Sequence, residues 1–449
     1  MRKTVVIDVV GLSSALIGED TPFLTKYLEN SRLSRIKPHL PAVTTSMQST
    51  YLTGTWPSQH GIVGNGWYDR TDCEVKFWKQ SNKLVQGESV WETAKRINPA
   101  FTCAQLFWWY NMYCGADYSV TPRPNYLADG RKMPDCYSHP AGLRDELQQR
   151  FGQFPLFSFW GPGANIKSSE WIANAAMYVE EKHSPALNLV YLPHLDYCQQ
   201  KFGPQGPIEK ELREIDALLK KLVGFFEERG ANVILLSEYG IVPVSRPVHI
   251  NRILRNAGLL GIRTERGLEL LDAGASQAFA VSDHQVAHIY TKSDSIKAQV
   301  IKLLTAEEGI DLLLDEEGKE RHHLDHERAG DIVAVAKPDS WFTYYFWLDD
   351  RVAPDYARMV DIHKKPGYDP VEMFMTSKLR AGYKLLRKKL GFRYVLDVIP
   401  LDATLVKGSH GAIQIPEKYY PVLVARDMAI PEELEAIAVR DIILQSLLS

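Results

Sequence analysis

A buried strand, an amphipathic helix and a second buried strand follow one another between residues 187 and 237. Leu187–Leu192 and Ala231–Ser237 are nearly continuous apolar runs, as in strands buried on both faces of a sheet, and 208–229 repeats apolar residues at helical spacing. Two strands joined by a crossover helix lie parallel in one sheet. The sequence therefore predicts an α/β fold with a mostly parallel sheet sandwiched by helices.

Carboxylates follow the ends of three predicted strands. Asp8 ends the apolar run that begins at Val5, Asp196 comes shortly after Leu192, and Glu238 follows the strand that ends near Ser237. The carboxyl ends of parallel strands meet at one edge of the sheet, where α/β proteins build ligand and metal sites. Each residue taken alone could be structural, for example Asp196 as a helix cap. Together, the three side chains are expected to converge.

Thr44 is the candidate nucleophile at this edge. It follows a Pro-containing turn and precedes a helix-compatible stretch, so its hydroxyl is expected at a helix N-terminus, where phosphate binds well. Threonine is a weak nucleophile until it loses its proton, which a divalent cation held by Asp8 could bring about. Asn65 could then donate a hydrogen bond to a phosphoryl oxygen.

The regular alternation of strands and helices changes in two segments. Residues 241–326 contain shorter mixed elements, with a strand near 285–290 and a helix near 294–304, and are predicted to form a smaller α+β cap inserted into a core of residues 1–240 and 327–449. Residues 107–163 are rich in Pro, Tyr and Trp and exceed the length of ordinary loops. They are predicted to be an irregular insertion of the kind that often roofs an active site.

Short motifs occur around Thr44 in a fixed order. They are Asp8, Thr44, Leu52-Thr53-Gly54, His60-Gly61-Ile62-Val63-Gly64-Asn65 and Tyr68-Asp69. This set resembles the alkaline phosphatase superfamily, in its nucleotide pyrophosphatase/phosphodiesterase branch. The segment Val406–Gly411 resembles the closing Ser-His-Gly motif of the same enzymes, and phosphonoacetate hydrolase in particular. The resemblance implies an alkaline-phosphatase-like core, Thr44 as a metal-bound nucleophile, Asn65 beside the phosphate, and two metal ions held by Asp and His.

The resemblance also indicates the remaining metal ligands, and here the chain departs from the family pattern. Asp196 keeps its place, but Gln200 stands where the family has histidine. The family's Ser-Asp-His-Gly motif is replaced by Ser237–Gly240, with Glu238 and Tyr239 in the two ligand positions. The ligand sets implied are Asp8, Thr44, Glu238 and Tyr239 for one ion, and Asp196, Gln200 and His410 for the other.

The loss of two histidines bears on the identity of the metal. Zinc, implied by the family, is commonly bound by imidazole or thiolate, whereas oxygen ligands suit Mg²⁺ or Mn²⁺. Alternatively, ligands from elsewhere in the chain replace the missing histidines, and the candidates for this are His194, Asp361 and His363. His284 and His288 are interpreted as structural, because residues four apart on a strand lie about 13 Å from each other.

Composition and charge exclude several classes of partner. The 449 residues are 45% hydrophobic and 24% charged, as in a globular protein, and the net charge of −3 offers no overall attraction to nucleic acid or an anionic membrane. The basic run 378–393 is interpreted as the solvated face of a helix. Met1 leads directly into the first strand, and five scattered cysteines lack Cys-x-x-Cys spacing, so a cytoplasmic protein with free thiols is expected. No feature of the sequence indicates the oligomeric state.

Three functions are compatible with these features. The first is a metal-dependent hydrolase of phosphate diesters or pyrophosphates that acts on a small phosphorylated substrate. The second is hydrolysis of the carbon–phosphorus bond of a phosphonate, suggested by the closing motif and by Arg328–Val333. The third, suggested by the lost histidines, is binding of a phosphorylated ligand without turnover. Trp67 and Tyr68 are candidates for substrate contacts, although aromatic clusters more often belong to a core.

Overall fold

The structure is a computed structural model of the chain and describes residues 1–128, 131–392 and 395–449. The strands are β1 (Thr4–Val9), β2 (Arg32–Lys37), β3 (Gly66–Asp69), β4 (Glu74–Phe77), β5 (Cys103–Leu106), β6 (Tyr118–Pro122), β7 (Asn125–Tyr126), β8 (Lys132–Met133), β9 (Cys136–His139), β10 (Leu187–Leu192), β11 (Asn232–Leu236), β12 (Val242–Pro243), β13 (Arg246–Val248), β14 (Ile262–Glu265), β15 (Leu268–Leu271), β16 (Ala278–Asp283), β17 (Val286–Thr291), β18 (Ile310–Leu314), β19 (Ile332–Ala336), β20 (Ser340–Phe342), β21 (Gly408–Ser409), β22 (Val422–Ala425) and β23 (Glu433–Glu435).

The α-helices alternate with these strands along much of the chain. They are α1 (Pro22–Leu28), α2 (Thr44–Thr53), α3 (Pro57–His60), α4 (Val90–Ile97), α5 (Ala141–Phe151), α6 (Leu156–Phe159), α7 (Lys167–His183), α8 (His194–Phe202), α9 (Glu209–Glu227), α10 (Ile250–Asn256), α11 (Asp294–Leu304), α12 (Glu316–Arg321), α13 (Lys378–Lys389) and α14 (Val439–Leu448). Within the described residues, no helix combines the length and apolar character that crossing a membrane requires.

A nine-stranded sheet forms the centre of the molecule, in the order β23-β2-β22-β11-β1-β10-β5-β6-β9. The strands from β11 to β6 are parallel to one another, and β22 and β9 run antiparallel to their neighbours in that group. Asp8 on the central strand is level with Tyr191 on one side and Leu236 on the other. Helices α7, α9 and α14 pack against β10, β11 and β1. The predicted α/β fold with a mostly parallel sheet is confirmed.

The predicted strand–helix–strand unit closely matches the structure. The first strand is found at the predicted residues, and the helix and second strand each end within two residues of the predicted bounds. Helix α9 forms because its apolar residues repeat on one face and are buried there, while Glu209 and Glu211 in the first turn favour the positive end of the helix dipole.

A second, four-stranded antiparallel sheet has the order β16-β17-β19-β18. Both elements predicted within 241–326 are present: β17 covers most of 285–290, and helix α11 has the predicted bounds. Strand β19 pairs with both β17 and β18, so this sheet includes residues on either side of position 326. The division into a core and a cap at 240/241 and 326/327 stays a prediction.

The segment 107–163 differs from the irregular insertion that the sequence predicted. It contains β6 to β9, α5 and α6, and two of these strands extend the main sheet. Prolines at 122, 124, 134 and 140 fall in or beside these short strands and interrupt the alternating pattern by which a strand is recognised in a sequence.

His288, in β17, has a hydrogen-bond partner on each ring nitrogen. Its Nδ1 accepts from the Gly330 backbone N–H at 3.0 Å, so the proton lies on Nε2, which donates to the Val63 carbonyl at 2.8 Å. Burial lowers the pKa of this imidazole to about 4. A proton added to Nδ1 would face the Gly330 N–H, so the folded protein disfavours the charged form. This supports the structural role that the sequence predicted.

We expect acid to destabilise the protein through His288. The unfolded chain binds the proton near pH 6.5 and the folded chain only near pH 4, so the free energy of unfolding falls as the pH drops through that window. In His288→Gln the titrating group is absent. Between pH 7 and pH 5 the difference in unfolding free energy between wild type and variant should narrow by about 2 kcal/mol. Urea unfolding at both pH values measures it, and an unchanged difference would contradict the expectation.

Candidate active site

The three predicted carboxylates converge at the carboxyl ends of β1, β10 and β11. Asp8 and Glu238 accept hydrogen bonds from the same donor, Gln48 Nε2, and Asp196, near the start of α8, accepts from the Tyr239 hydroxyl at 3.3 Å. All three side chains are buried. Gly240 allows the turn after Tyr239, because a Cβ at this position would lie 1.6 Å from a backbone carbonyl oxygen.

Thr44 is the first residue of α2 and joins this group through its hydroxyl. Val43 before it is extended, so the helix starts at Thr44, as predicted. The Thr44 Oγ1 lies 3.2 Å from the Tyr239 hydroxyl, which also donates to Asp196. The Tyr239 oxygen therefore bridges the candidate nucleophile and a buried carboxyl group.

Asp8 and Glu238 form a buried carboxyl pair, and Gln48 of α2 hydrogen-bonds to both side chains. The Gln48 Oε1 accepts from the Trp109 backbone N–H at 2.7 Å, which turns Nε2 towards the two carboxyl groups. This Nε2 donates to Asp8 Oδ2 at 3.4 Å and to Glu238 Oε1. Burial raises the pKa of Asp8 to about 7, and burial together with the Asp8 charge raises that of Glu238 well above its usual range. Asp8 Oδ1 and Glu238 Oε2 are buried without a hydrogen-bond partner.

Asp196 has both carboxyl oxygens hydrogen-bonded. Oδ1 accepts from Tyr239, and Oδ2 accepts from Gln200 Nε2 at 2.8 Å, while Gln200 Oε1 accepts from the Tyr368 hydroxyl at 3.0 Å. Burial raises the pKa of Asp196 to about 7. Gln200 and Tyr239, which the sequence resemblance places at two histidine positions of the family, are thus the hydrogen-bond partners of this carboxyl group.

Four aromatic rings stack in sequence beside Asp196, and we call them the four-ring stack. Tyr239 lies 3.5 Å from His410, His410 lies 3.8 Å from His284, and His284 lies 3.7 Å from Tyr368, measured between ring centres. His410 Nδ1 donates to the Ala42 carbonyl at 2.8 Å. Both imidazoles keep a buried Nε2 without a hydrogen-bond partner, and burial holds both pKa values well below the usual range.

His284 lies in the site, which corrects the structural role on a strand that was expected from its sequence context. The residue lies in the turn between β16 and β17 at φ 58°, not within a strand, and this turn carries its ring to His410. Asp283 Oδ1 accepts from His284 Nδ1 at 2.8 Å and so orients the ring. The signal available in the sequence was a carboxylate directly preceding a histidine. Gln48 and Tyr368 were missed as well.

Asn65 lies beside the first turn of α2, close to Thr44. Its Oδ1 accepts from the Thr45 backbone N–H at 3.0 Å, and its Nδ2 donates to Asp283 Oδ1 at 3.1 Å. The backbone N–H of Asn65 donates to Asp283 Oδ2 at 2.8 Å. These bonds fix the amide and leave one Nδ2 hydrogen available. The role of Asn65 towards phosphate stays a prediction.

Trp67 and Tyr68, the predicted substrate contacts, are packed into apolar clusters. Arg328 lies over the Trp67 ring at 4.9 Å, and Tyr68 packs edge-on against Phe279 and Tyr290 at 4.9 Å and 5.3 Å. Trp67 is 6% exposed. This packing is that of core residues, the alternative expected for aromatic clusters.

The three candidates for replacement ligands lie apart from the four-ring stack. His194 faces Glu214, with 3.3 Å between Nε2 and Oε2. His363 contacts the Phe77 carbonyl at 3.3 Å, and Asp361 pairs with the lysine three residues later. His284 is instead the additional imidazole of the site.

Aromatic side chains cover the site. Trp109 and Trp160 belong to the segment 107–163, and Trp78 packs between Trp109 and Tyr368, at 4.8 Å and 6.3 Å. Trp160 lies 5.7 Å from Tyr368. A cavity of about 750 Å³ lies away from these residues, between the β3–β4 and β14–β15 hairpins.

A buried lysine anchors the loop that carries Tyr368. Lys365 is 1% exposed and lies 2.7 Å from a carboxylate oxygen of Asp369 and 2.7 Å from one of Glu372. The Trp160 indole N–H donates to Glu372 at 2.6 Å. Removal of one partner from such a buried ion group typically costs about 3–5 kcal/mol, so this loop is held firmly against the site.

The residues fit one divalent cation better than two. Among the described residues, no Lys or Arg side chain forms an ion pair with Asp8, Asp196 or Glu238. The unpartnered oxygens of Asp8 and Glu238, with the Thr44 hydroxyl, form an oxygen donor set suited to Mg²⁺ or Mn²⁺.

The second set, Asp196, Gln200 and His410, does not fit a metal ion. Both Asp196 oxygens are already hydrogen-bonded. His284 does not complete this set in place of Gln200. Its ring centre is 3.8 Å from that of His410, whereas two imidazoles that bind one tetrahedral ion have ring centres roughly 5 Å apart. Nowhere in the described part of the chain do three or more His, Cys, Asp or Glu residues form a metal-binding group.

The chain belongs to the type I phosphodiesterase/nucleotide pyrophosphatase family, whose model matches residues 4–369. This confirms the resemblance to the alkaline phosphatase superfamily. Enzymes of that superfamily generally depend on divalent metal ions. The family and its curated relatives are hydrolases by name.

Two curated relatives show how far the sequence similarity extends. A pyrophosphatase/phosphodiesterase of Schizosaccharomyces pombe is 27% identical over 50% of this chain and 41% of its own length. An ectonucleotide pyrophosphatase/phosphodiesterase of Caenorhabditis elegans is 23% identical over 69% of this chain and 35% of its own length. The chain thus spans less than half the length of these relatives.

Two groups of solved structures share the fold. Murine ectonucleotide pyrophosphatase/phosphodiesterase 5 is 15% identical with a TM-score of 0.61, covering 99% of this chain and 95% of that one. Phosphonoacetate hydrolase from Sinorhizobium meliloti, in complex with phosphonoacetate, is 15% identical with a TM-score of 0.63, covering 99% and 96%. At this identity the likeness shows the fold alone.

Proposed function

We propose that this protein is a hydrolase of phosphate diesters or pyrophosphates with Thr44 as its nucleophile. The observation that carries the proposal is the Thr44 hydroxyl at the start of α2, hydrogen-bonded to Tyr239, which in turn bonds Asp196. Membership of the family supports it. So does a solved neighbour, a murine family member described as inactive in a threonine-to-alanine form and bound to AMP.

The residues of the chain account for the steps at the nucleophile. The start of α2 presents backbone N–H groups and the positive end of its dipole, which favour a phosphate next to Thr44. The remaining Nδ2 hydrogen of Asn65 is available to a phosphoryl oxygen. As Thr44 Oγ1 attacks phosphorus, its proton passes to the Tyr239 oxygen while the Tyr239 proton passes to ionised Asp196 Oδ1, and the bond from phosphorus to the leaving oxygen breaks. The leaving oxygen takes up a proton from water. Water then attacks phosphorus and breaks the Thr44–phosphorus bond, and Thr44 regains its proton through Tyr239 from Asp196. The relay uses the residue that replaces a family histidine.

A divalent cation, Mg²⁺ or Mn²⁺, held by Asp8, Glu238 and Thr44 would act as a Lewis acid that lowers the pKa of the attacking hydroxyl. Asp8 and Glu238 take part in this proposal through oxygens that lack any other partner. Gln48 supports the pair by donating to both carboxyl groups. Zinc in two sites, as the family resemblance implies, is not part of the proposal.

Turnover of two substrate classes tests the proposal. The protein is stripped with chelator and assayed with Mg²⁺, Mn²⁺ or Zn²⁺ on bis(4-nitrophenyl) phosphate, and in parallel on phosphonoacetate with detection of inorganic phosphate. We expect nitrophenol release that requires an added cation, and no phosphate from phosphonoacetate. Phosphate release from phosphonoacetate would favour cleavage of a carbon–phosphorus bond. No turnover with any cation, together with binding of the diester, would show a binding protein.

A cytoplasmic location also belongs to the proposal. All five cysteines are free, and four of them are buried. Free thiols persist in the reducing cytosol and are uncommon in secreted proteins.

A further inference from the structure

Residues 377–392 and 395–397, which we call the excursion, lie between two positions of the chain, 376 and 398, that are hydrogen-bonded to each other. At its base the Thr376 backbone N–H donates to the Val398 carbonyl at 2.8 Å, and the Thr376 hydroxyl donates to the same oxygen at 3.1 Å. Helix α13 makes up most of the excursion. The excursion is separate from the carboxylates and the four-ring stack.

One face of α13 is apolar and exposed, and we call it the apolar stripe. Leu379, Tyr383, Leu386 and Leu390 follow at intervals of four, three and four residues, which places them along one side of a helix. Their exposed fractions are 88%, 58%, 54% and 64%. Ala381, on the opposite side, is buried, so the stripe points away from the body of the protein.

Basic residues border the apolar stripe. The segment 378–393 contains no Asp or Glu, and its basic residues are Lys378, Arg380, Lys384, Arg387, Lys388, Lys389 and Arg393. At 100° per residue, positions 378 and 389 lie on one side of the stripe, and positions 380 and 387 on the other. Lys384 and Arg380 pair with Asp397 at the base, which fixes the rotation of the helix.

We propose that α13 docks on an anionic membrane surface, with the apolar stripe in the headgroup region and the basic residues against lipid phosphates. A helix with an apolar face bordered by Lys and Arg lies in the plane of such an interface. At 12 residues, α13 is too short to cross a bilayer. The net charge of −3 averages over the whole chain and hides this local positive patch.

Charge argues against a second copy of the chain as the occupant. Two such stripes packed together would bring rows of Lys and Arg close to one another, and like charges at that distance repel. An anionic lipid surface offers the opposite charge on both sides of the stripe. The charge pattern therefore favours lipid.

Co-sedimentation of the full chain with vesicles tests the proposal. The vesicles are phosphatidylcholine alone and phosphatidylcholine with 30% phosphatidylglycerol, at low and high salt. We expect binding to the anionic vesicles at least about tenfold stronger than to neutral ones, and weakened by salt. The variant Leu379→Ser/Leu386→Ser/Leu390→Ser should lose about tenfold in affinity or more.

Matched variants separate the stripe from exposed apolar residues in general. Ile97→Ser/Phe157→Ser removes two comparably exposed apolar side chains, 52% and 60% exposed, from other surfaces and should bind as wild type does. Lys378→Gln/Lys389→Gln leaves the stripe intact and should weaken binding to anionic vesicles, which keeps the test decisive if the triple variant misfolds. Equal binding to both vesicle types would overturn the proposal. If the wild type formed dimers and did not bind vesicles, and the triple variant were monomeric, the apolar stripe would be assigned to contact with a second copy of the chain.

Discussion

Thr44→Ala should lower kcat for a phosphate diester by about 10⁴-fold or more, because it removes the attacking oxygen. No neighbouring group replaces it in this geometry. The Tyr239 hydroxyl lies 3.2 Å from Thr44 Oγ1 but is already bonded to Asp196. Thr44 is buried at the start of α2. Alanine is smaller and favours a helix, so the substitution should leave α2 in place. Nitrophenol release under saturating substrate, with the cation that best supports the wild type, measures the effect.

Thr44→Ser is the matched control for this prediction. It keeps a hydroxyl at the same position and should retain turnover well above that of the alanine variant. Circular dichroism and thermal unfolding of both variants verify that the fold is intact. Equal turnover by wild type and Thr44→Ala would exclude Thr44 as nucleophile and would direct attention to water activated by the carboxyl pair.

The outline of the site was readable from the sequence because it follows from topology. Asp8, Asp196 and Glu238 come after apolar runs, and such runs become parallel strands whose ends meet at one edge. The helix start at Thr44 was readable for a similar reason, since the proline-containing turn before it cannot continue a helix. These inferences need only local patterns and one rule of sheet topology.

The partners within the site could not be read in the same way. His284 and Tyr368 come from a turn and a loop that reach the site only because distant segments pack together, and the loop is fixed by the buried Lys365. A periodic pattern carries no information about such approaches. In the segment 107–163 the sequence did not predict the strands that the structure contains. These strands are short and proline-rich and lack the alternation that marks strands elsewhere in the chain.

The two departures from the family pattern that the sequence resemblance implies, at positions 200 and 239, are linked through one carboxyl group. Gln200 and Tyr239 each hydrogen-bond Asp196, and Tyr239 also begins the four-ring stack that ends at Tyr368, which bonds Gln200 in turn. Because the two side chains satisfy the same carboxyl group, either family histidine restored alone would leave one Asp196 oxygen occupied. Gln200 and Tyr239 together therefore provide the hydrogen bonds of both Asp196 oxygens.

The double variant Gln200→His/Tyr239→His should bind about one zinc ion more per chain than wild type. Both Asp196 oxygens become available, and Asp196, the new imidazole at position 200 and His410 form a three-ligand set of the kind that zinc prefers, with an open fourth position. Elemental analysis after dialysis against zinc and then against metal-free buffer measures the content. The matched control is Lys201→His/Tyr239→His, which adds the same number of imidazoles but places one on a partly exposed position of α8. A wild-type protein that already retains two zinc ions would contradict the conclusion that Asp196, Gln200 and His410 do not fit a metal ion.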